Sequence, residues 1–156
     1  MNLANSVQKL YQKYKSDVKY NSSLILSEVA APIGSSAGAY IFDAAKLNNY
    51  VSSIAGGIIG NYVFAVSTFG ASWYLFNKNV YAGNIKKFAK ELSEMALKNL
   101  APAAVSYIIY IPIATAFTSA GIKPAESAFY ASILSAAFFI AGSNVVNKRV
   151  IQQYRD

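Results

Sequence analysis

Two residue types that carry much of protein chemistry are missing from this chain: it has no cysteine and no histidine. Without cysteine there is no disulfide, thiolate ligand or thiol redox centre, and cysteine usage gives no reading of the compartment. Without histidine the commonest general base and metal ligand is gone. No phosphate-binding glycine loop, metal-ligand spacing or nucleophile–base pair occurs either, so no cofactor or metal is expected and an enzyme is the least expected class. Charge is scarce as well. Only 13% of the 156 residues are charged, against 54% hydrophobic, where a soluble domain carries about a quarter charged. A cleavable signal peptide is not expected, because the first 20 residues hold four lysines and no compact apolar stretch.

The charges that remain are clustered. None falls between Lys46 and Lys78, between Lys98 and Lys123, or between Glu126 and Lys148, gaps of 31, 24 and 21 residues. A helix needs about 20 apolar residues to cross about 30 Å of hydrocarbon, so the gaps predict three spans near 50–76, 99–121 and 126–147. A fourth, 23–42, has the length and contains Glu28. A soluble bundle would need a polar face on each core helix, and 50–76 only scatters Ser, Thr, Asn and Tyr around the wheel. The expected fold is therefore all-α, a single membrane domain with four transmembrane helices arranged as two tandem helical hairpins.

Each hairpin is expected to follow an amphipathic interfacial helix. In 2–20, Leu3, Val7, Leu10, Tyr14 and Val18 share one face, with Lys9, Lys13, Lys15 and Lys19 around the rest. In 84–98, Ile85, Phe88, Leu92 and Met95 oppose Lys86, Lys87, Lys90 and Glu94. Such helices rest on an anionic membrane surface or on their own bundle. Lys and Arg stay on the cytoplasmic side, and twelve lie in 1–23, 77–98 and 148–156 against two, Lys46 and Lys123, in the opposite loops. Both termini are expected to be cytoplasmic in a multi-pass protein of the cell membrane. That rule already accounts for the net charge of +7, so no nucleic-acid partner is implied.

"NKNV" (77–80) and "NKRV" (147–150) close two of the apolar runs, 70 residues apart. At that offset Ala31-Pro32 matches Ala101-Pro102, Tyr40-Ile41 matches Tyr110-Ile111, and Phe69 matches Phe139; 11–80 and 81–150 share 14 identities. The matches fall at equivalent points of the two hairpins, which predicts an internal repeat about an axis along the membrane normal. Gly34 and Gly38, and Gly56 and Gly60, form two GxxxG stripes, with Ala128, Ser132 and Ala136 as a small-residue equivalent. These serve packing within the chain, or a homodimer or membrane-complex partner. Pro32, Pro102 and Pro112 interrupt backbone bonding, and Asn61 and Asn144 are expected to bond between helices.

Glu28 is the most costly residue, since a carboxylate at mid-bilayer costs about 3 kcal/mol on insertion scales. Its counterpart at the 70-residue offset is Lys98, so Glu28 and Lys98 are candidates for a structural ion pair, and Glu28 alone for proton or substrate coupling. Asn77, Lys78, Asn147, Lys148 and Arg149 mark the cytoplasmic interface. They are expected either to anchor the spans or to hold phosphate, which Arg and Lys both suit.

"WYLFNKNVY" (73–81) and "SNVVNKRVI" (143–151) resemble the span ends of the GtrA-like family, although Val145 stands where that family has Phe. The resemblance implies a four-span, two-hairpin membrane protein that moves polyprenyl-phosphate-linked sugars or partners glycosyltransferases. Carried over by position, it implicates Asn77, Lys78, Asn147, Lys148 and Arg149. "LSEVAA" (26–31) is similar to the first span of small multidrug resistance proteins, where a Glu couples protons to cationic substrates. Three functions follow: binding or transport of a lipid-linked anionic substrate, with the bilayer and polyprenyl-phosphate lipids as partners; a non-catalytic scaffold subunit; or a proton-coupled small-molecule exporter using Glu28.

Overall fold

A computed structural model describes the backbone of residues 3–153 and the side chains of residues 14–147. Apart from short turns, the described residues are helical, and no strand occurs among them. In order, the helices are α1 (Leu3–Ala44), α2 (Asn49–Val51), α3 (Gly57–Phe76), α4 (Lys78–Tyr81), α5 (Ile85–Lys98), α6 (Leu100–Ser119) and α7 (Pro124–Gln153); a π-helical turn, Ser52–Gly56, joins α2 to α3. Four stretches are long and apolar enough to cross a membrane: Tyr14–Ala44, Asn49–Phe76, Leu100–Ser119 and Pro124–Asn147. Large apolar side chains such as Val29, Ile33, Ile59, Val105, Ile108 and Val145 face outward along them. Water would not tolerate that much contiguous apolar surface, and the four helices mark a multi-pass membrane protein.

α1 differs from expectation. The sequence predicts a surface helix at 2–20 followed by a separate span, whereas the structure joins them in one helix of 42 residues, about 63 Å at 1.5 Å per residue. Neither Gly nor Pro occurs between Leu3 and Ala31 to break it. The weak helix formers Asn21, Ser22 and Ser23 are carried through because their neighbours Tyr20 and Leu24 are fully buried. Pro32 sits inside α1 and Pro112 inside α6. Pro102 lies in the first turn of α6, where the missing N–H has no intrahelical partner to lose.

α1 packs along both α3 and α7, and α6 packs along α7. The two GxxxG stripes meet each other: a Cβ on Gly34 would strike the Gly60 carbonyl, and one on Gly38 the Gly56 carbonyl. This antiparallel crossing brings backbone against backbone, and Ser35 Oγ donates to the Gly57 carbonyl across it (3.1 Å). Both stripes are thereby used inside the chain. α3 and α7 lie side by side in parallel, with Asn61 Nδ2 donating to Ser132 Oγ at 2.7 Å. Asn61 thus bonds between helices as expected. Asn144 does not, since its amide donates to the Ile140 carbonyl of its own helix (3.0 Å).

The interior has two halves of different texture. Tyr20, Leu24, Phe69, Trp73, Tyr81 and Met95 form an aromatic core at the α5 end. Ala39, Tyr110, Ala114, Ala128 and Ala131 form a small-residue core at the other end. There the Tyr110 hydroxyl donates to the Ser53 carbonyl of the π-helical turn (2.7 Å), and Thr118 Oγ1 to Ser53 Oγ (3.0 Å). These bonds tie α6 to the start of the second span and close that end.

Candidate functional site

Between the two cores lies a cleft. α6 meets the second span at the π-helical turn but does not follow α3 along its length, while α5 touches α3, α6 and α7 at the opposite end. The result is a wedge between α3 and α6, backed by α1 and α7 and bridged by α5. Its cavity is about 70 Å³, room for a few water molecules or a small ammonium head.

Glu28 of α1 enters this wedge beside Asn61 and Tyr62 of α3, Ser106 and Tyr107 of α6, and Ser135 of α7. Leu92, Met95 and Asn99 close it on the α5 side. Each wall residue is fixed by its own helix. Asn61 is held by Ser132, and Ser106 Oγ donates to the Ser135 carbonyl (3.4 Å), so polar bonds pin α3 and α6 to α7 around the space. No Lys or Arg lines the cleft. Glu28 is half-buried and has no hydrogen bond or ion pair among the described residues. Tyr107 is close enough to Glu28 for the two groups to interact. A carboxylate so placed, with phenol rings around it and no internal cation, accepts one thing readily: a positive charge from outside.

The expected Glu28–Lys98 ion pair is not formed. Lys98 ends α5 with its side chain exposed, and no ion pair joins it to Glu28. The 70-residue offset fails here for a physical reason. α1 runs unbroken through position 28, whereas the second half breaks at Asn99, leaving Lys98 on a different helix from the span that follows.

The asparagines of the two N-K ends point into the protein. Asn77 is buried; its Nδ2 donates to the Trp73 carbonyl (2.9 Å) and its Oδ1 accepts from Lys19 Nζ (3.1 Å). Asn147 is fully buried and donates to Asn99 Oδ1 (2.7 Å) and to the Ser143 carbonyl (3.0 Å). The same turn of α1 also meets α7, because Tyr20, next to Lys19, donates to the Ser143 carbonyl (3.4 Å). Asn77 therefore docks the end of α3 on α1, Asn147 docks α7 on the α5–α6 junction, and Lys78 is exposed. The side chains of Lys148 and Arg149 lie outside the described residues. Asn147→Ala is accordingly expected to cost about 1–2 kcal/mol in thermal or denaturant unfolding, and Lys78→Ala to leave stability unchanged. Equal effects of the two would contradict this division.

Sequence reasoning singled out Glu28 but missed Tyr62, Tyr107, Ser106, Ser135 and Asn99 as its surroundings. They come from three helices and the α5–α6 junction and share no spacing; the one available signal was the need of Glu28 for company at mid-span.

No protein-family model, curated protein or solved structure matches this chain. The likenesses to the GtrA-like and small multidrug resistance proteins rest on their short motifs alone.

Proposed function

We propose that this chain is a membrane carrier that exchanges protons for a small lipophilic cation at Glu28. The supporting observation is the lone carboxylate: it sits in an apolar, tyrosine-walled cleft with no lysine or arginine among the described residues that line it. Bare, that carboxylate is costly in a membrane interior. Either a proton or a bound cation relieves the cost, and the two exclude each other at one group. Mutual exclusion is the coupling an exchanger requires. The wedge opens sideways between α3 and α6, which gives a lipophilic cation a route from the acyl chains, and Tyr62 and Tyr107 offer ring faces to it.

The placement that goes with this reading is two tandem hairpins, one from each repeat (about 11–80 and 81–150), in the cell membrane. By the lysine and arginine bias, both chain termini and the α5 end of the cleft belong on the cytoplasmic side. α5 then lies at the headgroup level as an interfacial helix. A lipid-linked anionic substrate draws less support, since Asn77 and Asn147 are engaged in docking helix ends. A scaffold role would rest on the amphipathic helices alone, because the two GxxxG stripes are occupied by each other.

Benzyltrimethylammonium, a permanent cation with a small ammonium head, is the probe: its binding to the protein in lipid nanodiscs, measured by equilibrium dialysis across a pH series, tests the exchange. Protons compete for the carboxylate, so binding is expected at alkaline pH and is expected to weaken tenfold for each unit below the point where Glu28 protonates. Binding that ignores pH would remove the coupling.

A further inference from the structure

α5 is the one helix of substantial length that is not a span, and it crosses the wide end of the wedge. Its inner face supplies Leu92, Met95 and Ala96 to the cleft. Its outer face is strongly basic: Lys86, Lys87, Lys90 and Lys98 are all exposed, with Glu94 as the only exposed acid among them. Each end is built to turn. Before it, Gly83 takes φ +74° with nothing near its missing Cβ; after it, Asn99 alone separates α5 from α6. One polar latch fastens its middle to the end of α3. Trp73 Nε1 donates to the Tyr81 hydroxyl (2.7 Å), which donates to the Glu91 carboxylate.

These features point beyond a passive surface helix. We propose that α5 is a lid over the headgroup-side end of the Glu28 cleft, and that an anionic lipid surface is the partner that holds it shut. Lys86, Lys87 and Lys90 fall within five residues and repel one another. Anionic headgroups remove that repulsion and draw the basic face against the membrane plane, which presses the apolar face onto the aromatic core. With neutral lipid, the apolar contacts, the Tyr81–Glu91 latch and the Asn147–Asn99 bond at its far end are left to oppose opening. The lid rests on the membrane placement proposed above but not on the identity of the transported cation.

The absence of cysteine makes the test direct. Ala103 lines the cleft, so an Ala103→Cys variant in proteoliposomes reports access through its rate of labelling by a membrane-impermeant maleimide. Vesicles of phosphatidylcholine alone are compared with equal parts phosphatidylcholine and phosphatidylglycerol. Anionic lipid is expected to slow labelling about fivefold or more, as attraction of three lysines to the surface implies. High salt restores the rate, and added inorganic phosphate has no effect beyond its ionic strength. In the Lys86→Gln/Lys87→Gln/Lys90→Gln background the lipid dependence disappears. Glu91→Gln raises the rate in phosphatidylcholine by loosening the latch. Equal rates in the two vesicles, a lipid response that survives loss of the three lysines, or a cysteine unreactive in every background would each overturn the lid. The three lysines are exposed, so their variant keeps its fold, checked by its melting temperature. Lost cation binding with intact lipid-dependent labelling would sink the carrier and leave the lid standing.

Discussion

Glu28→Gln abolishes benzyltrimethylammonium binding and proton–cation exchange while leaving the protein as stable as before, or more so. The neutral amide keeps the shape and volume of the side chain but cannot pair with a cation. Truncating one partner of a buried charge pair costs about 2–5 kcal/mol, a loss of about 30-fold or more in affinity. The stability result follows from the same surroundings. Glu28 has no hydrogen-bond or ion-pair partner among the described residues to abandon, so the substitution removes an expensive charge. Binding is read by equilibrium dialysis and exchange by a pH-sensitive dye inside proteoliposomes; unfolding is followed by circular dichroism. Binding retained by Glu28→Gln would move the site elsewhere. A large loss of stability would instead mean that the carboxylate holds the bundle together, contrary to the contacts described here.

Gly38→Leu prevents the bundle from forming. A Cβ at Gly38 would run into the Gly56 carbonyl and lie 3.0 Å from the Cα of Gly60. These are backbone atoms with no rotamer to escape to, so α1 and α3 must separate along their whole crossing. Overpacking in a close-packed interior costs about 1–3 kcal/mol where side chains can adjust, and more where they cannot. Separation also breaks the Ser35 bond to Gly57. Little folded protein is expected on extraction. Ala71→Leu, on the exposed side of α3, is the control and is expected to extract like the parent chain. Normal yield and melting behaviour for Gly38→Leu would show that the crossing is looser than drawn.

How much of this was legible beforehand differs from residue to residue. The second, third and fourth spans were readable because a charge-free run of the right length has few other homes. Gly34, Gly38, Gly56 and Gly60 were readable as packing surface, although which partner they meet was not. The start of α1 misled, because amphipathic spacing at 2–20 looks the same whether a helix ends at Tyr20 or continues. Its continuation depends on Tyr20 and Leu24 being gripped by the ends of α3 and α7. The repeat misled at Glu28 for a related reason, since the halves agree in their asparagine ends but not in where their first helices break. Asn77 and Asn147 were found by recurrence, and recurrence says nothing about which way a side chain points.

The sequence by itself determined four apolar helices, the side on which positive charge collects, and the presence of one carboxyl group that hydrocarbon cannot easily accept. Those are properties of single segments against a solvent, and length, charge and hydropathy carry them. Only the tertiary structure decided that α3 and α6 part to leave a wedge, that Tyr62 and Tyr107 wall it around Glu28, and that α5 bridges its end. A cleft is a relation among distant segments. It is fixed by which helix pairs can approach, here by glycine contact between α1 and α3, and by which pairs are left apart.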